Sequence, residues 1–239
     1  MSPRIAVIIG AGPGLGAALA ASLGATHSLL LMSRSLPGSL PGLHLPSSIP
    51  PANVLACSSD GSASSLKSAM EAMKQKWPDG KVDVGIYNVG GRFSPGPFLE
   101  RTEAELRDNL DAFVVSGFNF AQAVLPRMLE HGQGTLIFTG ATMAMRGGAN
   151  FSSMAPGMFG RRALSQSLAR EFGPKGIHVA HVIVDGGIDS EKARAMMGEG
   201  EEGTRLKPED IAFTYQALIN QPRSAWTQEL DLRPMHEKW

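Results

Sequence analysis

Three of the four glycines at residues 10–16 stand four and two positions apart, where the first apolar run of the chain passes into the first helix-like stretch. The run IAVII covers residues 5–9, the glycines are Gly10, Gly14 and Gly16, and a helical pattern begins at Leu15. Glycines at such a turn let the backbone bend tightly and bring the amides of a helix start close to a pyrophosphate. We therefore predict a phosphate-binding turn at these four residues. The alternative is a plain strand-to-helix turn.

A cation follows the second apolar run, SLLLM at residues 28–32. The residues after it are Ser33, Arg34 and Ser35, and no carboxylate is within reach. An acidic residue at this place would hold a ribose 2′-hydroxyl, whereas a basic residue accommodates a 2′-phosphate. Arg34 thus favours NADP(H) over NAD, if a dinucleotide binds. The alternative is a solvated surface arginine at the start of a loop.

Apolar runs alternate with helical patterns along the whole chain, which predicts an α/β fold with a doubly wound parallel sheet and helices on both faces. We treat 1–239 as a single domain, since its length suits one α/β domain. The predicted strands are 5–9, 28–32, 53–57, 82–87, 135–139, 177–184 and 229–232. The predicted helices are 15–23, 62–76, 102–129, 155–171 and 208–220.

Composition excludes several classes of protein. Lys and Arg number 22, as do Asp and Glu, so no basic surface for nucleic acid is expected. The single cysteine, Cys57, excludes a disulfide framework and a cysteine-rich metal site, and we expect no metal. Because no apolar run reaches membrane-spanning length and no signal peptide is recognised, we expect no membrane contact and a cytoplasmic location.

Several segments resemble the short-chain dehydrogenase/reductase family over nearly the whole chain. The glycines have that family's GxxxGxG spacing, residues 87–90 read YNVG where the family has NNAG, and SLAREFGPKGIHV at 167–179 matches closely. The resemblance implies a Rossmann-type fold and a nicotinamide cofactor. It also implies a homodimer or homotetramer formed through the helices at 102–129 and 155–171.

The same resemblance assigns the remaining cofactor contacts. Asp60 stands where the family has an acid near the adenine. Asn88 and Gly90 would line the adenosine ribose, and Ser190 stands where a threonine often contacts the nicotinamide carboxamide. Residues 190–207 occupy the place of the family's substrate lid, and their glycines and charges suggest a small mobile lid. Asp189 is expected to cap the helix that follows it.

The family's catalytic positions hold apolar residues in this chain. Alignment on SLARE at 167–171 places Met154 at the tyrosine position and Met158 at the lysine position. Ala141 falls at the serine position and Phe113 at the asparagine position. A thioether has no proton to transfer and carries no charge. The usual acid–base set of the family is therefore predicted to be absent.

Four polar residues remain as candidates for catalysis near the predicted pocket. Asp185 follows the sixth strand and could act as an acid or pair with a cationic substrate; the alternative is a turn-forming residue before two glycines. Thr142 could partly replace the missing serine. Arg146 could reach the pocket or remain at the surface. Ser153 could be catalytic or simply cap a helix.

Three functions stay open at this point. The first is an atypical NADP(H)-dependent reductase or dehydrogenase with a non-standard proton relay, acting on a bulky, largely apolar small molecule. The second is a non-redox cyclase or isomerase, of pericyclase type, built on the same pocket, and the third is a non-catalytic scaffold. An apolar ligand suits the cluster of adaptable methionines predicted there, namely Met143, Met145, Met154, Met158, Met196 and Met197.

Overall fold

The computed structural model of the protein describes residues 2–237, without the side chains of Lys192, Met196 and Met197. Seven strands form one sheet in the order β3-β2-β1-β4-β5-β6-β7, and every neighbouring pair is parallel. The strands are β1 (Arg4–Ile9), β2 (Ser28–Ser33), β3 (Val54–Ser58), β4 (Lys81–Tyr87), β5 (Gly134–Ala141), β6 (Ile177–Val184) and β7 (Glu229–Leu232).

Helices cover both faces of this sheet. They are α1 (Leu15–Leu23), α2 (Ala63–Lys76), α3 (Glu103–Leu110), α4 (Ser116–Leu129), α5 (Ala155–Phe172), α6 (Glu191–Met197) and α7 (Pro208–Ile219). Successive side chains of β1 point to opposite faces, so Ala6 and Ile8 join the core under α1 and α7, while Val7 joins the core under α2 and α4. The predicted α/β fold with a doubly wound parallel sheet is confirmed.

The strand order reverses at β1, which pairs with β2 on one side and with β4 on the other. In open parallel sheets this reversal creates a crevice beyond the carboxyl ends of the strands, and ligands bind there. The glycine turn follows β1 directly, and Asn88 follows β4. The fold therefore places both predicted cofactor segments at the mouth of one crevice.

The predicted helix at 102–129 is present but is interrupted in its middle. Thr102 and Glu105 form the expected capping box at its start, and a π-helical turn, Asp111–Val115, separates α3 from α4. By length and composition alone, Glu103–Leu129 is the one helix among the described residues that could cross a membrane. The α4 side chains Phe120 and Val124 are buried against the sheet, as expected of a core helix in this fold.

The segment at 190–207 contains the helix that was expected after Asp189, for which no bounds were predicted. Helix α6 is seven residues long, and Ser190 rather than Asp189 caps it, because the Ser190 hydroxyl accepts a hydrogen bond from the Ala193 amide at 3.2 Å. The Asp189 carboxylate instead pairs with Arg194 at 3.1 Å. The prediction that Asp189 caps this helix was wrong.

Candidate functional site

The glycine turn adopts a backbone that side chains would block. Gly10 has φ of 83°, and a Cβ on it would lie 2.2 Å from the carbonyl oxygen of Asn88. A Cβ on Gly16 would lie 2.6 Å from the carbonyl oxygen of Gly10. No side chain caps the start of α1, which leaves its first amides available to an anion. The turn therefore has the shape and the donors that a pyrophosphate requires.

Open space lies beside this turn. A Cβ added at Gly12 or at Gly90 would meet no atom within 4 Å. Gly14 has φ of 87°, and a Cβ on it would lie 3.5 Å from the Cβ of Ser190. The Asn88 side-chain amide donates to the Gly10 carbonyl at 3.2 Å. The structure thus brings Asn88 and Ser190 to the glycine turn, while Leu15 is buried at the start of α1.

A polar cavity of about 500 Å³ opens beyond the ends of β2 and β3. Arg34 is exposed on its wall and makes no ion pair among residues 2–237. Hydrogen bonds from Ser62 and Ser65 lower the pKa of Asp60, also on the wall, to about 2. The other lining residues are six serines, Ser58, Ser59, Ser62, Ser64, Ser65 and Ser68. A guanidinium among hydroxyls provides the donors that a phosphate monoester needs.

The four apolar residues that the resemblance places at the family's catalytic positions lie together. Phe113, Met154 and Met158 are buried in one cluster with Ala144, and Ala141 packs against it. Thioether and aromatic groups cannot exchange a proton with a substrate. Met143 also packs against this cluster, whereas the side chains of Met196 and Met197 lie outside the described ones.

Neither of the two tyrosines in the chain has a hydroxyl free to donate a proton at this cluster. The hydroxyl of Tyr87 donates to the Ala112 carbonyl at 2.5 Å, and burial raises the pKa of Tyr87. The hydroxyl of Tyr215 lies 2.8 Å from Thr139 Oγ1, and burial also raises the pKa of Tyr215. Both side chains are almost completely inaccessible to solvent. Their hydroxyls therefore serve the core rather than a pocket.

Two of the four candidate catalytic residues are in direct contact. The hydroxyl of Thr142, which follows β5, donates to Oδ1 of Asp185, which follows β6. The other oxygen of that carboxylate, Oδ2, lies 3.1 Å from a guanidinium nitrogen of Arg233, beyond β7. Asp185 is 1% exposed, whereas Thr142 is only partly buried. The Asp185 carboxylate is therefore held by Thr142 at one oxygen and by Arg233 at the other.

The other two candidates are separate from this pair. Arg146 is exposed in the loop after β5. Ser153 is 3% exposed just before α5, and its hydroxyl has no hydrogen-bond partner in the part of the chain that the structure describes. No contact between described residues links either side chain to Asp185. Their predicted catalytic roles remain predictions.

The chain is similar to known proteins over most of its length. The family model described as short chain dehydrogenase matches residues 4–200. The chain belongs to the short-chain dehydrogenase family. A short-chain dehydrogenase structure from Rhodopseudomonas palustris is 33% identical, with a TM-score of 0.80, and the match covers 97% of this chain and 98% of that one.

Two further known proteins are less similar in sequence to this chain. The 3-oxoacyl-(acyl-carrier-protein) reductase FabG of Escherichia coli (strain K12) is 25% identical over 209 residues, which cover 84% of this chain and 80% of that protein. An alcohol dehydrogenase from Thermococcus sibiricus, solved with 5-hydroxy-NADP, has a TM-score of 0.83 at 22% identity, and the match covers 98% of both chains. The second likeness supports the fold alone.

One buried charge of this short-chain dehydrogenase was missed by the sequence reasoning. Arg161, on α5, is 1% exposed. Its guanidinium donates to the carbonyls of Thr139 at 2.6 Å, Val89 at 2.7 Å and Phe113 at 3.1 Å. The signal that could have found it is helical spacing, since residues 154, 158, 161 and 165 form one buried stripe of α5.

Metal ligands do not cluster in the described part of this family member. Among residues 2–237, no group of three or more His, Cys, Asp or Glu side chains has the arrangement that could hold a metal ion.

Proposed function

We propose that this chain is an atypical NADP(H)-dependent oxidoreductase that acts on a bulky, largely apolar small molecule through a non-standard proton relay. The observation that carries the proposal is the intact phosphate-binding half of the crevice. Gly10 and Gly16 pack so tightly that a Cβ would touch backbone, and Arg34 lies unpaired among serines of the described chain. A glycine turn that no longer bound a nucleotide would not require an unpaired arginine beside it.

Each polar group in this half has a defined task. The first amides of α1 hold the pyrophosphate, Arg34 holds the 2′-phosphate, and Asp60 lies on the adenine side of the cavity. Asn88 and Gly90 line the adenosine ribose, and Ser190 stands beside the glycine turn. When bound, NADP(H) supplies or accepts a hydride.

The substrate half favours an acceptor that brings its own proton. The Thr142 hydroxyl gives its hydrogen to Asp185, so its lone pairs are free to accept a hydrogen bond from the acceptor. An acceptor of this kind needs no acid from the protein to receive a hydride, which agrees with a cluster of Phe113, Met154 and Met158 that has no proton to give. Ser153 is the alternative proton donor in this proposal, and Arg146 is a contact at the pocket entrance.

Calorimetric titration of the purified chain with NADPH, NADP+ and NADH tests the binding half. We expect NADPH to bind at least about tenfold more tightly than NADH, because one charge-assisted contact is worth more than about 1.4 kcal/mol. Arg34→Ala removes this preference, whereas Arg170→Ala, which changes an exposed arginine on α5 that bonds only its own helix, keeps it. No binding of any nucleotide contradicts the proposal.

A non-redox cyclase or isomerase is the second candidate function. The observation in its favour is the buried cluster at the catalytic positions, which offers shape but no proton donor. Turnover of a candidate substrate, followed together with nicotinamide absorbance, separates the two. Product formation with unchanged absorbance supports the cyclase or isomerase, and product formation with NADPH oxidation supports the reductase.

The proposed assembly is a homodimer or homotetramer in the cytoplasm. Its support is an apolar surface on α5 and on the π-turn and α4, where Phe159, Val115 and Phe118 are each more than 40% exposed. Sedimentation of the wild type against Phe118→Glu tests it, with Phe213→Glu, an exposed phenylalanine on α7, as the matched control. Unchanged sedimentation of Phe118→Glu contradicts an interface on α4.

A further inference from the structure

Arg161 lies at the base of the crevice, where three segments of the fold meet. Its four carbonyl partners belong to the segment after β4, to β5 and to the π-turn between α3 and α4, which supplies two of them. The guanidinium carbon also lies 4.7 Å from the centroid of the Tyr87 ring and 5.1 Å from that of Phe113. The charge therefore sits among backbone dipoles and aromatic faces.

The π-turn explains why a cation fits this position. In the turn, the Ser116 amide bonds to the Asp111 carbonyl, five residues back, so the Ala112 carbonyl loses its usual helical partner and lies 3.5 Å from Arg161 Nη2. Arg161 Nε takes the Phe113 carbonyl. A Cβ at Gly157 would lie 2.8 Å from the Phe113 ring, so the glycine lets α5 approach closely enough for this bond.

The positive charge of Arg161 has no carboxylate partner among residues 2–237. Although burial lowers the pKa of this guanidinium, arginine remains protonated in proteins. Carbonyl dipoles stabilise the charge but do not cancel it. A buried, uncompensated charge is costly, and an apolar residue of similar volume would avoid that cost. Because Arg161 lies at the crevice, its charge can interact with a ligand bound there.

We propose that Arg161 is a positioning residue that makes the crevice prefer the reduced dinucleotide to the oxidised one. This inference rests on the dinucleotide binding proposed above. The oxidised nicotinamide ring carries a positive charge and the reduced ring carries none. A fixed cation in a poorly screened environment repels the charged ring, so the bound equilibrium shifts toward NADPH. Since Met158 stands where the family has lysine, Arg161 supplies the cation from one turn further along α5.

The test compares the affinities of the full-length chain for NADPH and NADP+ by calorimetry. The wild type is expected to bind NADPH about tenfold more tightly, the order of size of one partly screened charge interaction. Arg161→Met removes the charge, and we expect the affinity ratio to fall several-fold. Arg161→Lys keeps the charge but loses the guanidinium donors that bind the three segments. Both affinities should therefore fall, while the ratio of the NADPH affinity to the NADP+ affinity should persist. Loosening of the fold alone would lower both affinities together and leave the ratio unchanged.

Arg162→Met is the matched control, because Arg162 is the next residue and its guanidinium is paired with Glu229 at 2.6 Å. The ratio of the NADPH affinity to the NADP+ affinity of Arg162→Met should equal that of the wild type. If Arg161→Met does not fold, Arg161→Gln gives the same comparison with a neutral donor. A wild type that binds both nucleotides equally, or neutral variants with an unchanged ratio, overturns this inference alone. A wild type that binds neither nucleotide overturns the proposed function as well.

Discussion

The two ends of the crevice differ in how far they depend on side-chain chemistry. The nucleotide region, formed by residues 10–16 and the cavity at Arg34, is polar and open. The proposed reaction region, formed by the cluster of Phe113, Met154 and Met158 with Arg161 against the Phe113 ring, is apolar and closed. Phosphate binding uses backbone amides and one cation, whereas proton transfer needs specific side chains. One region can therefore change its chemistry while the fold and the other region persist.

The largest expected effect lies in the nucleotide region. Gly10→Ala forces a side chain into a left-handed conformation, with its Cβ 2.2 Å from the Asn88 carbonyl oxygen. Strain and overpacking together should lower the free energy of unfolding by about 4 kcal/mol, measured by urea denaturation. Gly12→Ala is the control, since a Cβ there meets no atom within 4 Å. Equal stability of the two variants would show that the turn is loose and that the comparison is wrong.

The next effect tests whether the proposed reaction region accepts a lysine at position 158, where the resemblance places the family's lysine. Met158 is 6% exposed, and Arg161 lies one turn further along the same helix. Met158→Lys buries a second cation without an acid among the described neighbours, which should cost about 3 kcal/mol of stability. Met158→Leu, the apolar control, should cost less than about 1.5 kcal/mol. A lysine variant as stable as the leucine variant would indicate that solvent reaches this position.

Strong local patterns made the sheet predictable from the sequence. Strands β6 and β7 begin and end at the predicted residues, because long β-branched or alternating runs end at turn residues. The bounds of helix α6 were not predicted, because its seven residues lie in a segment rich in glycine and charge. The long helix was predicted from its capping box, but nothing in its apolar pattern marks the π-turn at 111–115.

The candidate site was predictable only in part. Backbone-driven features, such as the turn at Gly10, follow from residue type alone. The contact between Thr142 and Asp185 joins residues 43 positions apart, so only the paired strand ends bring them together. Arg161 was overlooked because a charged residue on a helix is normally read as exposed. Its carbonyl partners come from three distant segments, which no local pattern reveals.

Lowering the pH should reduce the stability of the protein through His181, and not through Asp60 in the nucleotide region. Burial lowers the pKa of His181, on β6, to about 4, against a usual value of 6.5. The unfolded chain therefore takes up a proton first as the pH falls, and the stability present above pH 6.5 is lost progressively toward pH 4. Between pH 7 and pH 5, the free energy of unfolding should fall by about 2 kcal/mol from this group.

Urea denaturation at several pH values checks this loss. His181→Gln should remove that part of the pH dependence, and His44→Gln, at an exposed histidine, should retain it. In the nucleotide region Asp60 is exposed and its pKa is already about 2, so it contributes nothing in this pH range. A His181→Gln variant with the wild-type slope would place the acid sensitivity elsewhere.

The smallest effect concerns Ser190, which lies where α6 meets the glycine turn. As the cap of α6, its hydroxyl accepts from the Ala193 amide, so Ser190→Ala should destabilise this helix by about 1 kcal/mol. Ser190→Asp keeps the cap but places a negative charge near Gly14. Amide hydrogen exchange of α6 should therefore rise in the alanine variant only.

If phosphate binds at the glycine turn, NADPH affinity should fall about fivefold in the aspartate variant through charge repulsion. An aspartate variant that binds NADPH like the wild type would restrict Ser190 to its capping role and move the boundary of the nucleotide region to Gly14.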